Sequence, residues 1–326
     1  MIVLSGDIGG TKTRLALFES DGRKLQTLVE NSFPSSDHAS LDEIVSIFLH
    51  DTDAACEGAC FGVAGPVQDG RCRTTNLPWE IDATAMQRKL GLREVRLLND
   101  LEANAWGIPA LGPEDLYLLQ PGAAEARGNA AVIAAGTGLG EAGMYWDGQR
   151  HHPFASEGGH ADFSPGSDLE IALLRYLRRS FEHVSWERVV CGPGLVNLYR
   201  FLCEHSHTDP PVWMQQELEK GDAAAAISRA ALAGRDRVCS EALDLFVYLY
   251  GVEAGNQALK IMATGGVYLG GGIAPKILER LKGPRFLQGF TGKGRMSPLL
   301  RQMPVQVILN ERTALYGPAL YIAGTG

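Results

Sequence analysis

Gly6-Asp7-Ile8-Gly9-Gly10-Thr11-Lys12-Thr13-Arg14-Leu15-Ala16-Leu17, or GDIGGTKTRLAL at 6–17, is the stretch whose reading decides the fold. An apolar strand, Met1 to Ser5, runs into it. A second strand, Arg14 to Phe18, runs out, and Asp21-Gly22 makes the next reversal. The pattern reads as a hairpin whose bend spans Gly6 to Thr11. Glycines at 6, 9 and 10 free the backbone to bring its N–H groups close to a phosphate, and Thr11 adds a hydroxyl donor. Asp7 repels a phosphate unless Mg²⁺ lies between them, held by the carboxylate through water. The bland alternative is a plain hairpin turn, which needs only one or two glycines.

The outline returns further on. An apolar run, Ala130 to Ala135, meets Gly136-Thr137-Gly138-Leu139-Gly140, and Ala142 to Trp146 leads back to a turn at Asp147-Gly148. Two such units suggest a duplicated architecture with a cleft between the copies. Gly138, Gly140 and Gly143 spell GxGxxG, yet a dinucleotide fold demands a helix directly afterwards and the chain returns as a strand. A second phosphate-cradling hairpin, with Thr137 as side-chain donor, fits better. Walker A is absent, since Gly292-Lys293 is followed by Gly rather than Ser or Thr. A late strand, Val267 to Leu269, enters Gly270-Gly271-Gly272. Bare backbone there suits either an adenosine lying flat or a tight strand-to-helix connection.

Asp100 follows the apolar strand Val95 to Leu98 and opens a helix. A carboxylate so placed can take the proton of an alcohol attacking a terminal phosphoryl group, where alignment supplies most of the acceleration. It is also where a helix N-cap belongs. In Glu157-Gly158-Gly159-His160, carboxylate and imidazole flank two glycines, a set suited to vicinal sugar hydroxyls that both donate and accept. Glu187 alone reads as a first-turn glutamate favoured by the helix dipole.

The bulk numbers bound these readings. At 326 residues the chain is comfortable for two domains. A net charge of −8 argues against nucleic acid, so bound phosphate must be handled locally. No run of 18 apolar residues indicates a membrane span and no signal peptide is legible, so a cytoplasmic protein is expected. Six cysteines form no CxxC pair; Cys203, His205 and His207 would share a face if that segment were extended and could in principle ligate a metal. Further helices are expected over Leu41–Leu49, Asp168–Arg179, Ala223–Ala233, Val238–Leu259 and Thr313–Ala323.

With these pieces assembled, the sequence resembles the bacterial glucokinase family, within the sugar kinase, Hsp70 and actin superfamily. The carriers are GDIGGTKTRLAL at 6–17, TNLPW at 75–79, LLNDLEANAWGIP at 97–109, AAGTGLGEA at 134–142, EGGHADFSP at 157–165, ERVVCGPGLVNLYR at 187–200 and GGVYLGGGIAP at 265–275. The resemblance spans nearly the whole chain. It implies an α/β, two-domain actin-like ATPase (ribonuclease H-like) fold, with a cleft between a small α/β domain (1–109 plus 308–326) and a larger α+β domain (110–307).

It further implies that Asn99, Glu157, His160 and Glu187 hold the sugar hydroxyls, with Asn76 adding a contact, and that Asp100 is the base acting on the C6 hydroxyl. Gly6, Asp7, Ile8, Gly9, Gly10 and Thr11, with Gly136, Thr137, Gly138 and Gly140, become the two phosphate hairpins; Gly271, Gly272 and Ile273 lie near the adenosine. The expected reaction is transfer from ATP to glucose with Mg²⁺, in a homodimer. Lys12 departs from the Asn common in this family. The cysteine-rich zinc motif of the related ROK kinases is absent. Rival readings are a kinase for another hexose or N-acylated amino sugar, a non-catalytic sugar sensor, and an Hsp70-like or actin-like ATPase.

Overall fold

A computed structural model describes residues 1–21, 24–52, 55–74 and 77–324. Gly22 of the second reversal and Asn76 of the TNLPW segment lie outside them. Residues 1–115, 152–155 and 310–326 group as one compact unit; residues 116–151 and 156–309 group as the other.

The first unit contains β1 (Ile2–Ile8), β2 (Lys12–Ser20), β3 (Leu25–Pro34), α1 (Leu41–Thr52), β4 (Gly58–Val63), β5 (Val67–Gln68), β6 (Arg71–Arg73), β7 (Glu80–Asp82), α2 (Ala83–Leu90), β8 (Glu94–Asn99) and α3 (Asp100–Gly107). The second contains β9 (Leu116–Gln120), β10 (Ala130–Ala135), β11 (Leu139–Trp146), α4 (Asp168–Leu177), α5 (Gly192–His205), α6 (Val212–Glu219), α7 (Ala223–Leu232), α8 (Arg237–Ile261), β12 (Gly266–Gly270), α9 (Leu278–Leu281), α10 (Pro284–Thr291), α11 (Ser297–Leu300) and β13 (Val305–Ile308). The closing helix α12 (Thr313–Gly324) belongs to the first unit.

In the first unit the sheet order is β3-β2-β1-β4-β8. β1 pairs antiparallel with β2 and parallel with β4, and β4 pairs parallel with β8, so Ile8, Val63 and Asn99 lie level at the carboxyl ends of three neighbouring strands. Side chains alternate across the sheet. Leu4, Leu15 and Phe61 therefore join a core with Ile44 and Phe48 of α1, while Val3, Phe18 and Cys60 meet Ala103 of α3 and Leu315, Ala319 and Ile322 of α12. Burial on both faces makes β1, β2 and β4 nearly continuous apolar runs.

Close backbone packing seats α12 on α3. A Cβ added at Gly317 would run into the carbonyl oxygen of Ala103, and one at Gly107 into that of Thr313. Gly317→Val is expected to cost about 2 kcal/mol through overpacking, a fall in Tm on the order of 5 °C in thermal unfolding.

The second unit's sheet runs β11-β10-β12-β13-β9, with β10 antiparallel to β11 and parallel to β12. A hairpin followed by a parallel partner thus recurs, as in β1-β2-β4. The 25-residue α8 packs against this sheet: Tyr250 Oη donates to Ile133 O at 3.0 Å, and Gln257 Nε2 donates to Val132 O and Ala142 O.

Three local readings need correcting. β1 continues through Ile8, so the first bend is only Gly9-Gly10-Thr11, and Gly6, Asp7 and Ile8 are strand residues. Ladder pairing with β2 and β4 outcompetes turn formation there. The second bend shrinks likewise to Gly136-Thr137-Gly138, with Gly140 in β11 opposite Ala134. Cys203 and His205 lie on a helix, α5, rather than an extended segment; Cys203 turns into the core and His205 stacks on Phe201. No group of three metal-ligating side chains is present among the described residues. Among those residues, too, no helix is long and apolar enough to cross a membrane.

Candidate active site

In the first unit, the polar residues gather at the carboxyl ends of β1, β4 and β8, the edge where open α/β sheets present ligand sites. The Gly9–Thr11 bend is held from beneath by Ser35, a buried residue just after β3. Ser35 Oγ donates to Gly9 O at 2.8 Å, its N–H donates to Thr11 O at 3.1 Å, and its hydroxyl meets Thr13 Oγ1 at 3.0 Å. Thr11 and Lys12 are left exposed. Asp7 is half-buried and forked by Arg14 of β2 through Oδ2, at 3.2 Å from Nε and 2.7 Å from Nη2.

Gly6 is required by packing rather than by a phosphate. A Cβ there would lie 2.6 Å from Phe61 and 2.9 Å from Leu15. Ile8 is buried in the same core.

The N-cap of α3 is Asn99, which settles the alternative reading of Asp100. Asn99 Oδ1 accepts from Leu101 N at 3.0 Å and Glu102 N at 3.4 Å, while its Nδ2 donates to Gly65 O. Asp100 is the first helical residue, half-buried, and its Oδ1 accepts from Leu101 N at 2.9 Å. An acid in the first turn is stabilised in its ionised form by the helix dipole. Burial pushes the neighbouring Glu102 carboxyl upward.

In the second unit, three segments converge at the carboxyl ends of β10 and β12. The bend closes through Gly136 N–H to Gly138 O at 2.8 Å, and Gly192 N–H at the start of α5 reaches Gly136 O at 2.9 Å. Ile273 N–H donates to Ala135 O at 3.2 Å. Gly271 has φ +79°, and a Cβ there would meet the Ala135 peptide. Gly136 and Gly272 behave differently: neither takes a positive φ, and an added Cβ would touch nothing within 4 Å. Neither backbone geometry nor the protein's own packing excludes a side chain at these two positions. Open space beside bare backbone is what an incoming phosphate or nucleoside needs.

Glu187 Oε2 accepts from Leu139 N at 3.0 Å and lies against Gly138, so this carboxylate braces the bend. Glu157 and His160 occupy one short helical turn, their side chains exposed and 3.9 Å apart from Oε2 to Nε2. The intervening glycines are there for packing, not for pliancy. A Cβ at Gly159 would strike Leu139 O, and one at Gly158 would strike the Glu141 carboxylate.

Comparison with known proteins decides the family. A sequence model of the glucokinase family matches residues 4–325. The chain belongs to the glucokinase family.

Among curated members of this family, the glucokinase of Nostoc punctiforme is 43% identical over 99% of both chains, and that of Tolumonas auensis is 37% identical over 98% of this chain and 96% of the other. A crystal structure of a glucokinase from an Antarctic psychrotroph superposes with TM-score 0.86 at 32% identity, covering 98% of each chain. A ROK family glucokinase from Streptomyces griseus, crystallised with glucose and AMPPNP, shares the fold at TM-score 0.66 and 21% identity, with full coverage of both chains. The two-domain actin-like ATPase fold expected of the family is thereby shown.

Sequence reasoning missed Ser35, Arg14, Glu141 and Cys191. The last is the N-cap of α5, its sulfur accepting from Gly194 N and donating to Glu187 O. Its signal was legible, since Pro193 within a helix's first turn marks a helix start. Ser35 and Arg14 act through partners distant in sequence or across a strand, which no local pattern reveals.

Proposed function

We propose that this chain transfers the γ-phosphoryl group of ATP to the C6 hydroxyl of glucose, giving glucose 6-phosphate and ADP. Family membership supports the reaction class, and the Streptomyces griseus complex with glucose and AMPPNP supports the two substrates. The observation that carries the site assignment is the pair of unfilled glycines, Gly136 and Gly272, beside the α5 N-terminus and the Gly271 loop.

The first unit contributes the Gly9-Gly10-Thr11 bend to the phosphates, Asp100 as general base, and Asn99 and Asn76 to the sugar. The second contributes Gly136, Thr137, Gly138 and Gly140 to the phosphates, Gly271, Gly272 and Ile273 to the adenosine, and Glu157, His160 and Glu187 to sugar hydroxyls. Asp100 takes the C6 proton as the oxygen attacks phosphorus, so the nucleophile develops charge only as it bonds.

Mg²⁺ would neutralise charge on the triphosphate. Asp7 fits it, because Arg14 occupies Oδ2 and Oδ1 can accept from a magnesium-bound water. Lys12, exposed beside the bend, adds a cation near the phosphates. A cytoplasmic location and a homodimer belong to the same proposal.

A phosphoryl-acceptor panel with MgATP held constant tests it. Glucose should exceed mannose, fructose and N-acylated amino sugars in kcat/KM by at least about tenfold, the ratio being what defines specificity. Sugar binding without ATP turnover would point instead to a sensor.

A further inference from the structure

Beneath the Glu157–His160 turn lies a buried pair of acids that the phosphoryl transfer does not use. Glu141 on β11 is 2% exposed and Glu253 on α8 is 0% exposed. Glu141 Oε1 and Glu253 Oε1 are both buried without a hydrogen-bond donor among the described residues. Two carboxylates can only accept, so the pair is unsatisfied unless one of them carries a proton and donates it to the other. Their side chains are within hydrogen-bonding contact.

The surroundings supply partial compensation. On α8, Asn256 Nδ2 donates to Glu253 Oε2 at 2.8 Å, and Lys260 Nζ stands 3.7 Å from Glu253 Oε1. Lys293, beyond α10, donates to Asn256 Oδ1 at 2.6 Å and Val252 O at 3.0 Å, and feels the charges of Glu253 and of Glu170 on α4. Burial, with a smaller contribution from the charge of Glu141, keeps the Tyr250 phenol of α8 neutral. Above the pair, Glu141 Oε2 rests against Gly158, where no Cβ intervenes. Glu157 and His160 flank that glycine.

We propose that Glu141 and Glu253 hold one proton between them, and that this proton keeps level the bed on which the Gly158-Gly159 turn rests, so that its loss weakens sugar binding while leaving the phosphoryl-transfer step intact. The proposal rests on the reading of Glu157 and His160 as sugar ligands. Glu141 is thus a positioning residue. Burial, followed by the charge of Glu253, raises its carboxyl to about 8. Ionisation puts a second negative charge into the buried site, and the side chain's yielding neighbour is the glycine turn.

The sign follows from proton binding. The native state holds a proton that the unfolded chain releases in the ordinary glutamate range. The resulting stability is present in full below that range and is lost as pH rises to about 8. The KM for glucose should rise about tenfold from pH 7 to pH 9, as a single ionisation near 8 requires, with the KM for ATP level. Glu141→Gln should hold the glucose KM flat over that interval, and its stability should not share the wild-type decline between pH 5 and 8 in thermal unfolding. Glu253→Gln, which removes the repelling charge, should also abolish the rise, and it serves if Glu141→Gln does not fold.

A wild-type glucose KM that is level with pH, or a rise that persists in both variants, overturns the shared proton. Glu157→Gln separates the two readings. A normal glucose KM in that variant removes the sugar assignment itself, whereas a raised one alongside an unaltered pH rise in Glu141→Gln removes only the proton pair.

Discussion

Asp100→Asn should lower kcat for glucose phosphorylation by about three orders of magnitude, within the range ascribed to a positioned general base. The substitution preserves shape. An amide oxygen can still accept from Leu101 N, and Asn99 remains the N-cap, so α3 keeps its start. The variant forfeits the ability to take a proton at neutral pH. Losing the first-turn charge costs at most about 1 kcal/mol of helix stability, too little to unfold the unit. The KM for glucose should therefore stay within a few-fold of wild type while turnover collapses. Steady-state kinetics with a coupled ADP assay checks this, and a kcat within tenfold of wild type would take the base role away from Asp100.

Gly271→Val should be the most damaging single change in the nucleotide loop. At φ +79° a β-branched residue is strained, and its Cβ would also collide with the Ala135 peptide that lines the second bend. Strain and overpacking together cost about 3 kcal/mol, near 10 °C in Tm for a unit of this size. Because Ile273 N–H is tied to Ala135 O, the displacement is passed directly to the Gly136–Gly138 bend. The KM for ATP should rise at least about tenfold, more than the KM for glucose. Gly272→Ala is the contrast. It has room for its methyl in the protein, so Tm should hardly move, and any increase in the KM for ATP then reports a ligand in that space. An unchanged KM for ATP in both variants would remove this loop from the nucleotide site.

The local elements that made the fold legible were those with strong short-range physics. β1, β2 and β4 are apolar because their sheet is covered on both faces, and the bends between them carry glycine. Edge strand β3, half polar and half exposed, offers no comparable pattern and was not expected. Helix α5 was missed because its start, Cys-Gly-Pro-Gly, resembles a loop until Cys191 is seen as the cap.

The amino-acid sequence by itself determined the two glycine hairpins, the acid after β8 and the Glu-Gly-Gly-His turn, because each is specified by residues a few positions apart. It also contained the motifs that place the chain among the glucokinases. Only the tertiary structure decided why the individual glycines are there. Gly6, Gly158 and Gly159 yield to neighbours brought in from other elements, whereas Gly136 and Gly272 yield to no protein atom. It likewise decided that Ser35 braces the first bend, Glu187 the second, and that Glu141 meets Glu253 across 112 positions of chain. Contacts of that kind depend on sheet register and helix packing, which sum over the whole unit and leave no signature in any short window.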